Sequence, residues 1–225
     1  MALNPDFTLC EASPDQMDEV MRVMEVAYRN DGIWKFVREN CDDEELHEWV
    51  MKWLAPRWTM PDITTYIITE KSSGKIIAWT ALQFPWKWRT EKDAKFMTPE
   101  AKAVALNEVL PPILLKEMFL PALEEFWASL GESAKHGYNP EEDYHRKGTM
   151  VQPEFQRLGL GSVLTRVTNE IMDGNPARTW APARPSSIKM FRNMGFKDIA
   201  TQDSHLERWG GTREDSITYF VRRDP

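Results

Sequence analysis

The chain's strongest chemical pattern is the run Gln156-Arg157-Leu158-Gly159-Leu160-Gly161-Ser162, preceded by Val151 and Pro153. Pro153 has no N–H to give to a sheet ladder, so strand pairing is interrupted there. Gly159 and Gly161 remove two side chains where the backbone turns from strand to helix. The amides of residues 157–162 can then point into one space. The first turn of the following helix adds unsatisfied N–H groups and a partial positive charge. Such a nest suits a phosphate or pyrophosphate, with Arg157 as a full charge at its rim. Two familiar glycine motifs do not fit. A P-loop needs a lysine after its second glycine, and here Ser162 follows. A dinucleotide fingerprint needs a third glycine where Leu164 stands, and it opens a βαβ unit early in a domain.

The elements around this turn follow from periodicity. A strand is expected over 7–11, then a helix capped by Ser13, with Pro14 at its first position and Gln16 completing a capping box. Met17, Val20, Met21, Met24, Ala27 and Tyr28 give that helix one apolar face. A second helix is predicted over 42–54, with acids in its first turn and Trp49 and Trp53 toward the core. Residues 64–69 and 76–82 read as an antiparallel hairpin, leading into the aromatic loop Phe84-Pro85-Trp86-Lys87-Trp88. A helical insertion is expected at about 89–144, ending in a polar, acidic loop over 131–144. A short strand over 148–151 meets the glycine turn, and a helix follows over 160–172. A strand over 178–181, a helix capped by Ser186 or Ser187 and closed by Gly195, and two strands over 197–207 and 216–222 around the turn Trp209-Gly210-Gly211 complete the chain. This order predicts a single α/β (α+β) domain over 1–225, with helices on both faces of a mixed sheet.

The bulk properties narrow the partners. The 225 residues are 42% hydrophobic and 28% charged, the profile of a globular protein with one sizeable core. A net charge of −7 argues against nucleic acid as a partner and is compatible with a cationic substrate. Cys10 and Cys41 lie far apart without metal-ligand or CxxC spacing, which reads as two reduced thiols in a cytoplasmic protein. The first nine residues lack a basic segment followed by an apolar one, so no signal peptide is expected. No apolar run approaches the roughly 20 residues that span a bilayer, so no membrane is expected as a partner. His47, His136, His145 and His205 show no metal spacing, and no metal is expected.

The run Gln156-x-x-Gly159-x-Gly161 resembles the acetyl-CoA-binding signature of the GNAT superfamily of N-acetyltransferases. Downstream, Ile188-Lys189-Met190-Phe191-Arg192-Asn193-Met194-Gly195-Phe196 looks like that family's Leu-Tyr-x-x-x-Gly-Phe segment, at the family's spacing. The resemblance is carried by motif over 147–225 and by element order over 7–88. The helical insertion makes the arrangement similar to GNAT-like proteins of fungi. The resemblance implies a mostly antiparallel sheet, splayed between the strand before the glycine turn and the next strand, with acetyl-CoA (CoA) as cofactor. Backbone groups of Thr149, Met150 and Val151 would pair with the pantetheine arm. Gln156, Arg157, Leu158, Gly159, Leu160, Gly161 and Ser162 would hold the pyrophosphate, and Phe191 would border the thioester. It implies direct acetyl transfer to the amine of a small molecule, or alternatively of a protein or peptide, by a monomer or homodimer.

One departure from the family pattern bears on the reaction. Phe191 stands where the family often has a tyrosine that protonates the leaving thiolate, and phenylalanine has no proton to give. This leaves open a GNAT-fold protein that binds without transferring. Candidate bases are Glu142, Asp143 and His145, just before the cofactor strand, although an acidic loop there is equally a solvated surface. Asp203 and His205 on the late hairpin are weaker candidates. Trp34, Trp86 and Trp88 sit in predicted loops and are candidates for an aromatic acceptor pocket, or for core packing.

Overall fold

The structure, a computed structural model, describes residues 3–32, 34–35, 41–88 and 135–225. Most of the predicted insertion therefore lies outside the described residues. Seven strands form one sheet: β1 (Phe7–Glu11), β2 (Ile63–Glu70), β3 (Ile76–Gln83), β4 (Tyr144–Val151), β5 (Thr179–Ala183), β6 (Lys197–Asp203) and β7 (Ile217–Arg223). Their spatial order is β1-β2-β3-β4-β5-β7-β6. Every pairing is antiparallel except β4 with β5. The main helices are α1 (Met17–Ala27), α2 (Asp43–Trp49), α3 (Leu160–Gly174) and α4 (Pro185–Asn193). The mixed, mostly antiparallel sheet with helices around it is the predicted architecture.

The helix starts follow local chemistry. The Ser13 backbone N–H donates to Gln16 Oε1 at 3.0 Å, and Gln16 N–H donates back to the Ser13 carbonyl. Asp42 caps α2 by accepting from the amides of Glu44 and Glu45. The predicted second helix divides: α2 ends at Trp49, and Val50–Leu54 continue as a π-helical turn before a short turn over Ala55–Trp58. His47 ties α2 to α1, with Nδ1 2.8 Å from Glu25 and Nε2 2.8 Å from Asp18.

Three clusters make the core. On one face of the sheet, Val20, Met21 and Met24 of α1 and Leu46 and Trp49 of α2 pack on Ile67, Trp79 and Met150. On the other, Leu160, Val163 and Leu164 of α3 pack on Ile68, Ile77, Leu82 and Tyr144. A third cluster joins Ile188 and Phe191 of α4 to Ala181, Ala183 and Val221. β3 lies between the first two and is buried along its whole length.

Two expectations need correction. β4 begins at Tyr144 rather than near Gly148, because Tyr144, His145 and Arg146 are buried sheet residues whose polarity reads as loop in sequence. The late hairpin is also shorter. Its strands stop at Asp203 and start again at Ile217, and helical turns at Leu206–Trp209 and Arg213–Ser216 fill the connection.

Candidate functional site

The glycine turn forms as its residue types require. Gly159 takes φ 81° at the N-cap of α3, and Arg157 itself adopts φ 64°. A left-handed non-glycine residue stores strain of about 1 kcal/mol or more. The twist turns successive N–H groups outward. Gln156 N–H still bonds the Pro153 carbonyl, and Val163 N–H begins the helical ladder on Gly159. Among the described residues, none of the six amides of residues 157–162 between them has a hydrogen-bond acceptor. Six consecutive open donors at the positive end of a 15-residue helix suit an anion. Leu158 stands 53% exposed at its edge, and Gly161 packs against Met190 of α4.

Beside this nest the sheet opens. β4 pairs with β5 only through Tyr144↔Thr179 and His145↔Trp180. Past His145 the two strands diverge, and Thr149, Met150 and Val151 have no strand on that edge. β4 also carries a bulge, since its pairing with β3 jumps from Thr80↔Thr149 to Leu82↔Arg146. Gly148 sits in the bulge with φ 143°, where a Cβ would come within 2.9 Å of the Trp79 ring. The bulge is held by hydroxyls: Thr80 Oγ1 donates to the Gly148 carbonyl at 2.6 Å. Arg146 donates to Thr80 and Thr149 Oγ1 at 2.7 and 2.6 Å, and to Thr168 Oγ1 of α3 at 2.8 Å. Its guanidinium is 1% exposed, lies 5.6 Å from the Phe191 ring centroid and meets no carboxylate among these partners. Burial lowers its pKa to about 9, so it stays charged at neutral pH.

The opposite face of β4 holds a different set of groups. His145 is buried, its Nδ1 has no partner among the described residues, and Tyr138 packs edge-on at 4.9 Å. Burial, then the Lys147 charge, push its pKa well below 6.5, so the ring is neutral at physiological pH. Lys147 is next on this face, and the Trp58 indole donates to its carbonyl at 2.9 Å. Burial, then the nearby Arg57 charge, lower the Lys147 ammonium to about 8, against a smaller opposing pull from Asp62. Asp62 Oδ2 accepts from Gln83 Nε2 at 2.7 Å and from Trp86 Nε1 at 3.0 Å.

No family model and no curated protein matches the sequence. Solved structures do match. The polyamine N-acetyltransferase of Drosophila melanogaster superposes with a TM-score of 0.61 at 12% identity, over 98% of this chain and all of that one (100%). A mosquito arylalkylamine N-acetyltransferase-like protein gives 0.57 at 13% identity, over 97% of this chain and 100% of that one. The PaiA N-acetyltransferase of Thermoplasma acidophilum, solved in complex with coenzyme A, gives 0.52 at 9% identity, over 97% and 99%. The fold is that of the GNAT acetyltransferases.

Within this GNAT fold the predicted site residues separate. Residues 149–151, the turn 156–162 and α4 with Phe191 all border the splay. Gln156 Nε2 donates to the Val151 carbonyl at 3.2 Å, tying the turn to the strand end. Phe191 is 4% exposed and packs edge-on to Phe196 at 5.1 Å. Asp143 is a structural clamp: its oxygens accept from Arg178 at 2.8 and 3.0 Å, Trp180 Nε1 at 3.1 Å and the Asn139 amide at 2.9 Å. Glu142 is exposed and pairs with Lys87. Trp34 belongs to the core cluster under α1, stacked on Tyr28 at 5.3 Å. Trp86 reaches Asp62, whereas Trp88 is 41% exposed and packs on Tyr144. On the late connection, Asp203, His205 and Glu207 bring one ligand atom each within 4.8 Å of one another, a half-buried-to-exposed surface cluster. Sequence reasoning missed Arg57, Asp62, Arg146 and Lys147. The only local signal was the strand alternation that pairs His145 with Lys147 on one face and Tyr144 with Arg146 on the other.

Proposed function

We propose that this chain binds acetyl-CoA across the splay and transfers its acetyl group directly to the amine of a small molecule. The observation that carries this reading is the row of six acceptor-free amides at the start of α3, beside a strand edge left open by the divergence of β4 and β5. The amides of residues 157–162 would hold the pyrophosphate, with Gln156 bracing the turn. The backbone of Thr149, Met150 and Val151 would pair with the pantetheine amides, and Phe191 would pack against the arm. The GNAT structures of similar fold include enzymes named for agmatine, polyamines and arylalkylamines, which supports an amine as acceptor.

In the reaction the neutral amine attacks the thioester carbonyl, the C–N bond forms and the C–S bond breaks. The amine's proton must pass to a base, and the thiolate must gain one. A β4 amide near Val151 would polarise the carbonyl. Of the three predicted bases, His145 fits the role better than Glu142 or Asp143. It lies on β4, it is neutral at physiological pH, and its Nδ1 is unoccupied among the described residues. The carboxylate oxygens of Asp143 are already taken by structural donors. With Phe191 unable to protonate the thiolate, the charge on Arg146, 5.6 Å from the Phe191 ring, supplies positive potential at that side of the cleft. The enzyme would work in the cytoplasm as a monomer or homodimer, without metal, nucleic acid or membrane.

The test is acetyl-CoA binding followed by turnover. Saturation at 100 times the Kd should raise stability by about 2.7 kcal/mol in a thermal-shift measurement. The absence of any shift would sink the reading. Binding without thiol release across arylalkylamines, polyamines and peptides would instead favour the binding-only role that Phe191 suggests.

A further inference from the structure

The α1–α2 face of β4, where the acetyl-transfer reading would place the acceptor, carries two cations without a paired carboxylate among the described residues. Arg57 projects from the turn that follows α2, and Lys147 from the bulged part of β4. Both are half-buried. Arg57 Nε is shielded from solvent and has no hydrogen-bond partner among the described residues, and the carboxylate that acts on the Lys147 ammonium among those residues is Asp62. The two segments are fixed against each other. The Trp58 indole, next to Arg57 in sequence, bonds the Lys147 carbonyl at 2.9 Å and packs edge-on to Trp79 at 5.6 Å.

The local charge balance does not close. The groups that act on one another here are Arg57, Lys147, Asp62 and His145. His145 is neutral at physiological pH, and Asp62 is the one carboxylate among them. Its Oδ2 is already shared by Gln83 and Trp86. Among the described residues, two positive charges therefore face one partly committed negative charge. Keeping half-buried cations without partners costs stability, and a fold tolerates such a cost where a ligand completes the pairing. A guanidinium and an ammonium near enough to act on one another match a carboxylate, one through a planar fork and the other as a mobile point charge.

We propose that Lys147 and Arg57 form an anion subsite in the acceptor cleft, and that the acceptor is an amine carrying a carboxylate, such as an amino acid, rather than a simple amine or polyamine. The inference rests on the acetyl-transfer reading for the location of the acceptor, but its test does not depend on turnover. The subsite would hold the carboxylate while the amine of the same molecule faces the β4 bulge. Specificity would then come from a charge pair that a decarboxylated analogue leaves empty.

The experiment measures equilibrium binding to the CoA-saturated protein by calorimetry, using matched pairs that differ by one carboxylate: tryptophan and tryptamine, arginine and agmatine, ornithine and putrescine. The carboxylated member of at least one pair is expected to bind at least tenfold more tightly. Lys147→Met and Arg57→Gln should each collapse that ratio toward one, and Lys147→Arg should keep most of it. Melting temperature and far-UV dichroism check that each variant is folded. If CoA itself does not bind, the acetyl-transfer reading falls and this one with it. If CoA binds but the decarboxylated amines bind equally well or better, or no member of any pair binds, the anion subsite alone is wrong. If the Lys147 and Arg57 variants weaken CoA by the factor expected for the acceptor, the cations serve the cofactor and the inference is overturned.

Discussion

β4 borders two candidate sites that are built in opposite ways. Past its end, the site at the glycine turn uses backbone: six consecutive amides, a left-handed Gly159 and the start of α3. On its α1–α2 face, the site uses side chains brought from three places in the chain, at Arg57, at Asp62 with Gln83 and Trp86, and at His145 with Lys147. A backbone site is specified locally, because a few glycines and a helix start produce it wherever they occur together. A side-chain site exists only once the sheet has assembled. On the proposed reading, the first would hold the cofactor of every turnover, and the second could vary with the acceptor while the frame stays fixed.

The sharpest way to break this comparison is to fill the backbone site. Gly161→Phe would place a ring in the first turn of α3, where even a Cβ stands 3.1 Å from Met190 Sδ. CoA affinity should fall by about 100-fold or more, which removes the roughly 2.7 kcal/mol thermal shift expected at 100 times the original Kd. Near-normal CoA affinity in this variant, with the protein folded, would show that the phosphates lie elsewhere.

An effect of intermediate size is expected where the two sites meet. Phe191→Tyr adds a hydroxyl on α4 at the position where the resembling family's segment often has a tyrosine. The rate of thiol release should rise by about tenfold at saturating substrates, the lower end of what a positioned acid contributes. An unchanged rate would mean that Arg146 and water already manage the departing thiolate, or that proton transfer does not limit turnover. The ring sits 4% exposed in an apolar cluster, so a loss of melting temperature should be measured alongside.

The contrast between the sites also explains what was legible in the sequence. The glycine turn, the α1 capping box and the hairpin of β2 and β3 are short-range patterns, and the structure places them close to the predicted bounds. The start of β4 was missed because Tyr144-His145-Arg146-Lys147 looks like a polar loop. Its polar groups are buried by partners that lie far away in sequence: Thr80 and Thr168 for Arg146, Trp58 for the Lys147 carbonyl. Asp143 read as a candidate base for the same reason, since nothing near it in sequence announces Arg178 or Trp180. Trp34 read as a pocket residue because a tryptophan near a helix end carries no local mark of being core.

The smallest effect concerns the joint between α1 and α2. α1 and α2 are joined by His47, buried between Asp18 and Glu25 at 2.8 Å each. Burial disfavours the charged ring, but the hydrogen bonds it donates to the two carboxylates and the charge of Glu25 outweigh it, and the His47 pKa is raised above 6.5. The Asp18 pKa is lowered below 3.8, chiefly by its hydrogen bond to His47. The signs then fix a window. A raised histidine contributes stability fully below its unfolded pKa near 6.5 and loses it as pH rises through the folded value. A lowered aspartate contributes above about 3.8 and loses it as pH falls through its folded value. The clamp is therefore strongest between roughly pH 4 and 6.5. His47→Gln should lower the melting temperature most in that interval, by a few degrees given about 2–4 °C per kcal/mol for a chain of this size, and less at pH 8. Asp18 is 59% exposed, so salt should shrink the difference. Because Arg57 follows directly from the α2 segment, the same loosening should weaken acceptor binding above neutral pH while CoA affinity holds, which would separate the side-chain site from the backbone site by pH alone.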